Sequence, residues 1–159
     1  MKKILILLCI FTTLITICFL FTGCPGFGDP HPANPTPTIT PIDPVLCHAS
    51  MNIQPYSVTV GQNITVQLII NNCGGTTAQN VTPTSGWPVE SSMVGLIKIS
   101  GPSPFSQDIP SGTKAYFSWV YGTNTSETVN FTCNASGINP NNSSIIESNI
   151  ASGSVNIGP

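Results

Sequence analysis

The stretch NITVQLIINNCGG, residues 63–75, decides the fold class. Ile64, Val66, Leu68 and Ile70 recur at every second position, while Asn63, Thr65 and Gln67 fill the alternate ones and Ile69 is the exception. Successive side chains of a strand point to opposite faces, so this pattern lays an aliphatic row on one face and a polar row on the other. Asn71, Asn72, Gly74 and Gly75 follow at once, and residues of this kind close a strand with a turn.

The same period recurs on both sides of it. In 114–121, Ala115, Phe117, Trp119 and Tyr121 alternate with Tyr116, Ser118 and Val120, and in 127–135 Val129, Phe131 and Cys133 are in phase. Shorter candidates are 45–50, 56–60, 78–84, 93–100, 105–109 and 152–157, with 144–150 ambiguous between strand and loop. In 93–100 the inward set reads as Val94, Leu96 (or Ile97) and Ile99. Gly61-Gln62, Pro102 with Pro104, and Pro110-Ser111-Gly112 punctuate the series. No segment of comparable length carries a 3.6-residue period. Short strands at such intervals predict an all-β sandwich of about seven strands over residues 45–159. Trp119 and Trp87 are its large core candidates. Trp87, in the irregular passage 86–89, reads as a plug over the end of the core or as an exposed anchor for a protein or carbohydrate partner.

A resemblance adds to this. Val60-Gly61-Gln62, the strand to Ile70, Asn72-Cys73-Gly74-Gly75, Ala78 and Val81 resemble the opening of bacterial Ig-like repeats of the DUF11 and CARDB type, and Ile109-Pro110-Ser111-Gly112 resembles their later turn. The resemblance covers most of 56–157 and implies an Ig-like fold. Such repeats serve as spacers, adhesive modules and parts of surface assemblies, so it assigns no chemistry.

The chain before the sandwich has a different character. Lys2 and Lys3 precede an almost wholly apolar run, 4–21, broken by Thr12, Thr13 and Thr16. Eighteen residues are long enough for a membrane-crossing helix, and the order of parts equally fits an export signal. Phe21-Thr22-Gly23-Cys24 resembles the lipobox of bacterial lipoproteins, with Phe21 where Leu is usual. That resemblance implies cleavage after residue 23, with Cys24 carrying palmitate-type acyl chains and anchoring the protein in the membrane. Pro25 after the cysteine favours the outer membrane or cell surface. Residues 24–44 hold seven prolines and read as an extended polyproline tether. At about 3.1 Å per residue it would span roughly 60 Å.

Removing residues 1–23 leaves two lysines, Lys98 and Lys114, against six acids, a side-chain net of −4, with no arginine. A surface without a basic stripe excludes nucleic acid as a partner.

Cys9 and Cys18 lie in the signal and Cys24 is assigned to lipid, so Cys47, Cys73 and Cys133 remain in an oxidising compartment. Three pairings are open and each leaves one thiol over. In an Ig-like sandwich all three should lie toward one end, which favours Cys73–Cys133, with the leftover cysteine buried and inert.

Catalytic and metal-binding patterns are missing. His31 falls in the tether, and Cys47-His48 with Cys73 and Cys133 matches no zinc-ligand spacing, so a disulfide is the simpler reading. Glu90, Asp108, Glu127 and Glu147 show no pairing for acid–base work and read as acids of solvated turns. The expectation is a non-enzymatic envelope protein without cofactor or metal, binding an envelope protein or polysaccharide. The alternative is a structural or spacer subunit of a surface assembly, joined as a homo-oligomer by strand exchange.

Overall fold

The computed structural model describes residues 42–92 and 94–159. The lipobox, Cys24 and the tether up to Pro41 lie outside the described residues. The described chain is all-β. Its strands are β1 (Leu46–Gln54), β2 (Ser57–Thr59), β3 (Asn63–Asn72), β4 (Ala78–Pro83), β5 (Val89–Glu90) and β6 (Leu96–Ser103), followed by β7 (Gln107–Ile109), β8 (Lys114–Thr123), β9 (Glu127–Cys133), β10 (Ala135–Ile138), β11 (Ile145–Glu147) and β12 (Ala151–Gly158). The strand segments outnumber the expected seven because Pro55-Tyr56 divides β1 from β2, Asn134 divides β9 from β10, and two- and three-residue strands add to the count.

One layer is an antiparallel sheet in the order β1-β3-β8-β6. The other is made of two smaller sheets, β2-β12-β9-β5 and β11-β10-β4-β7. β9 and β10 form one run of chain that passes from the first small sheet to the second. The alternating rows meet between the layers. Ile64, Val66, Leu68 and Ile70 of β3, Phe117, Trp119 and Tyr121 of β8, and Val129 and Phe131 of β9 are all essentially without solvent contact and belong to a single core cluster. At about 25 cal/mol per Å² of apolar surface buried, rows of this length are the main stabilising term.

β6 departs from the expected phase. Leu96 packs against the core and Lys98 stands opposite Tyr121, while Val94, Ile97 and Ile99 are exposed. The inward place is tolerable for Lys98 because its stem crosses apolar surface while its ammonium finds a carboxylate. The strand then bulges, with the register shifting after Lys98 and again before Ser103.

The cysteine pairing also differs from the expected one. The bridge is Cys47–Cys73, with Cα atoms 5.8 Å apart, and Cys133 is a buried free thiol. β1 and β3 are antiparallel neighbours, Cys73 N donates to Val45 O, and the register shifts between Leu46 and His48, so Cys47 is the extra residue of a bulge and comes within bridging distance of Cys73. Cys133 is not at the end of its run, because the chain continues through β10 to Ile138 before turning. Five further residues at about 3.3 Å each carry that end roughly 16 Å beyond Cys133. It is the following loop that reaches the bridge end, where Asn141 Nδ2 donates to Asp43 Oδ1 at 2.8 Å.

Buried polar groups pin the rims. Asn72 is 1% exposed: its Oδ1 accepts from Val45 N at 3.1 Å and Gly74 N at 3.0 Å, and its Nδ2 donates to the carbonyls of Thr76 and Ile109, both at 2.8 Å. At the opposite rim the Thr123 hydroxyl faces the carbonyls of Thr59 and Gln62. Contacts of the domain begin inside the stretch assigned to the tether: Gly75 N donates to Asp43 O, and Pro44 is buried.

Candidate binding surface

Trp87 lies on a strap, residues 84–91, that leaves β4 and crosses the open side of the sandwich. Pro83 and Gly86 make its turn, with Gly86 at φ +68°, a left-handed conformation natural to glycine. The strap returns to the small sheet as β5, which pairs Val89 with Thr132 and Glu90 with Phe131 of β9.

Three anchors hold it. The Trp119 indole N–H donates to the Gly86 carbonyl at 2.7 Å. The Trp87 ring meets Tyr121 edge-on, with centroids 5.3 Å apart at 80°, and Tyr121 in turn meets Phe131 at 5.2 Å. The Tyr121 hydroxyl donates to Glu90 Oε1 at 2.8 Å, and Lys98 Nζ lies 3.3 Å from the same oxygen and 5.3 Å from the centre of the Trp87 ring. The Glu90 side chain is only 5% exposed, against 38% for Lys98. Burial, and then the hydrogen bond to Glu90, push the Tyr121 phenol well above its ordinary range. Glu90, expected as a solvated turn acid, is thus a structural carboxylate whose charge is paired with a lysine and which accepts a hydrogen bond from a phenol.

Trp87 is half-buried and packed against the core. The structure brings it together with Glu90, Lys98 and Tyr121, and places it apart from the Cys47–Cys73 bridge at the rim. Glu90 and Lys98 were illegible as partners because eight residues and a change of sheet separate them. Cys133 lies beside the strap instead. Its sulfur is 3.8 Å from Ser85 Oγ, and it borders a cleft of about 280 Å³ lined also by Thr84, Val89, Thr132, Asn134 and Ile150. Burial pushes the thiol upward in pKa, partly opposed by its contacts with Ser85 and Asn134, which makes it a poor nucleophile near neutrality. Among the described residues no group of three or more His, Cys, Asp and Glu is placed to hold a metal ion.

The exposed apolar residues of the large sheet form a second surface. Tyr116 stands opposite Ile69 on the outer face, and Ile97 and Ile99 flank Gly122 there.

No family model matches the chain, and no curated protein does. Among solved structures it is similar to a CARDB domain from Pyrococcus furiosus determined with di-metal ions, at 10% identity and a TM-score of 0.44, covering 73% of this chain and 94% of that one. It is also similar to a PapD-like domain of human CEP192, at 12% identity and a TM-score of 0.41, covering 69% and 87%. A third likeness, to the secreted serine protease VesC of Vibrio cholerae, has 10% identity and a TM-score of 0.34 and spans 68% of this chain but 23% of that one. With TM-scores all below 0.5, the all-β fold rests on the strand pairing itself.

Proposed function

We propose that this protein is a non-catalytic binding or adhesion module of the bacterial cell envelope, held to the membrane by lipid on Cys24 and raised from it by the proline-rich tether. Its partner class is an envelope protein or polysaccharide. The observation that supports a module over a polymerising subunit is the state of the strand edges. The Asn149 carboxamide meets the outer edge of β1, accepting from Ala49 N at 2.7 Å and donating to Ala49 O at 3.2 Å. β6, the other edge of that sheet, is bulged and carries Pro102, and β2, β5, β7 and β11 are two or three residues long. Such edges resist strand addition from a second copy, which the alternative of strand exchange requires.

The test has two parts. Intact mass of the protein purified from membranes should begin at Cys24 with acyl additions; an unmodified terminus elsewhere rejects the anchor. Affinity capture from the native envelope with the lipidated protein should then retain a protein or glycan, and the soluble domain should sediment as a monomer. Ordered, concentration-dependent polymers would reject the module in favour of a structural subunit.

A further inference from the structure

We propose that the strap, residues 84–91, is a latch that opens as a unit while the sandwich stays folded, uncovering Trp119, Tyr121 and the outer edge of β9. Proteins open locally in units whose cost follows their share of buried apolar surface and backbone pairing. The strap has little of either. Two ladder pairs join β5 to β9, Thr84 N donates to Asn134 O and Ser91 N to Asn130 O, and the side chains of Thr84 and Ser91 add bonds to Asn134 and to Asn130 N, whereas β3 and β8 share nine register pairs. The cleft bordered by Thr84, Ser85 and Ile150 leaves one flank of the strap without close packing. Val89 is 60% exposed, so the half-buried Trp87 ring, with the buried Pro88 beside it, is the apolar hold on the strap.

The polar anchors resist opening only weakly. When the strap lifts, the Trp119 indole N–H and the Tyr121 hydroxyl exchange a protein acceptor for water, and the nearly buried Glu90 leaves its pairing with the more exposed Lys98 for full hydration. Desolvating an ion pair costs about as much as the pairing returns, so undoing it adds little to the cost of opening. Lys98 nevertheless sets the balance in the closed state: without its charge, Glu90 is a nearly buried carboxylate with one phenol for company.

Hydrogen exchange by NMR on the full lipidated protein in detergent micelles tests this without any ligand, and so independently of the envelope-module proposal. The chain has two tryptophans, which makes the Trp119 indole N–H a resolved reporter of the Gly86 contact. Its exchange is expected to be at least tenfold faster than that of the Leu68 and Phe117 amides. Lys98→Met should speed the indole a further threefold or more and leave those amides unchanged, and Trp87→Phe should do the same by shrinking the apolar hold. Exchange of the indole at the same rate as the core amides would overturn the latch. So would variants that alter indole and core amides in parallel, or that alter neither.

Discussion

Asn72 and Ile109 are joined across the sandwich: the Asn72 side-chain Nδ2 on β3 donates to the Ile109 carbonyl on β7 over 2.8 Å. The two strands belong to different sheets. One amide therefore ties the layers together at the rim where the disulfide lies, and its remaining capacity fixes the Val45–Thr76 turn region.

Replacing that amide should be costly. Asn72→Ala leaves two carbonyls and two N–H groups without their partner, and an unsatisfied buried group costs about 1–3 kcal/mol, so a loss of about 3 kcal/mol is expected once water reaches some of them. The thermal midpoint should fall by about 10 °C. Asn72→Asp keeps the acceptors, loses both donations and sets a negative charge against two carbonyls, so calorimetry should find it at least as destabilised. A midpoint near that of the natural protein would refute the hub.

Gly101 in the β6 bulge has φ +127°, and a Cβ there would lie 2.8 Å from the Ser118 carbonyl and 2.5 Å from the Trp119 ring. Neither backbone nor a fully buried indole can give way cheaply. Gly101→Ala is expected to cost about 2–3 kcal/mol in urea denaturation. Gly112→Ala is the control: its φ is +70° but nothing lies within 4 Å, so it should cost less.

The Cys47–Cys73 bridge closes a sequence separation of 26 residues. By chain entropy such a loop contributes about 3.5 kcal/mol. Cys47→Ala with Cys73→Ala should lower stability by about that amount, while Cys133→Ala should change it far less and leave the bridge intact. Non-reducing peptide mapping that found Cys73 joined to Cys133 would contradict the pairing.

Tyr121 ties stability to alkaline pH. Its phenol is raised in the folded state from an ordinary value of 10.0, so folding favours the protonated form. The associated stability is complete below pH 10 and is lost as pH climbs above it, because the unfolded phenol ionises while the folded one does not. Denaturation midpoints should therefore fall steeply above about pH 10. Tyr121→Phe should flatten that fall, even though losing the Glu90 hydrogen bond lowers stability at neutral pH. Asp43 acts at the other extreme: hydrogen bonds from Asn141, then Asn139, lower its pKa. Its contribution is present above the ordinary carboxylate value of 3.8 and lost as pH falls through the folded value.

The rows that make the core were legible because they are local: alternation in 63–70, 114–121 and 127–133 is written in consecutive residues, and each row lies inward as expected. The strap was not. Glu90 and Lys98 acquire meaning only when β5 and β6 flank Tyr121 from different sheets, which no local window contains. The β6 phase misled for a related reason, since three exposed aliphatics outvote one lysine until its carboxylate partner is known. The cysteine pairing failed on strand length, because β9 and β10 read as one shorter strand put Cys133 at an end it does not reach. Asn72 sat in a stretch that reads as a turn, and turn asparagines carry no signal that tells a surface amide from a bridging one.

Ala49 and the amide that caps it, Asn149, are 100 residues apart in the chain. A chain that emerges N-terminus first offers β1 and its partner β3 early and the cap almost last. For most of synthesis the rim strand therefore stands bare, and neighbouring nascent chains meet it in that state. Guarding against misassembly falls to the timing of the C-terminal segment: a chain stopped short of residue 149 carries a sheet with an open seam.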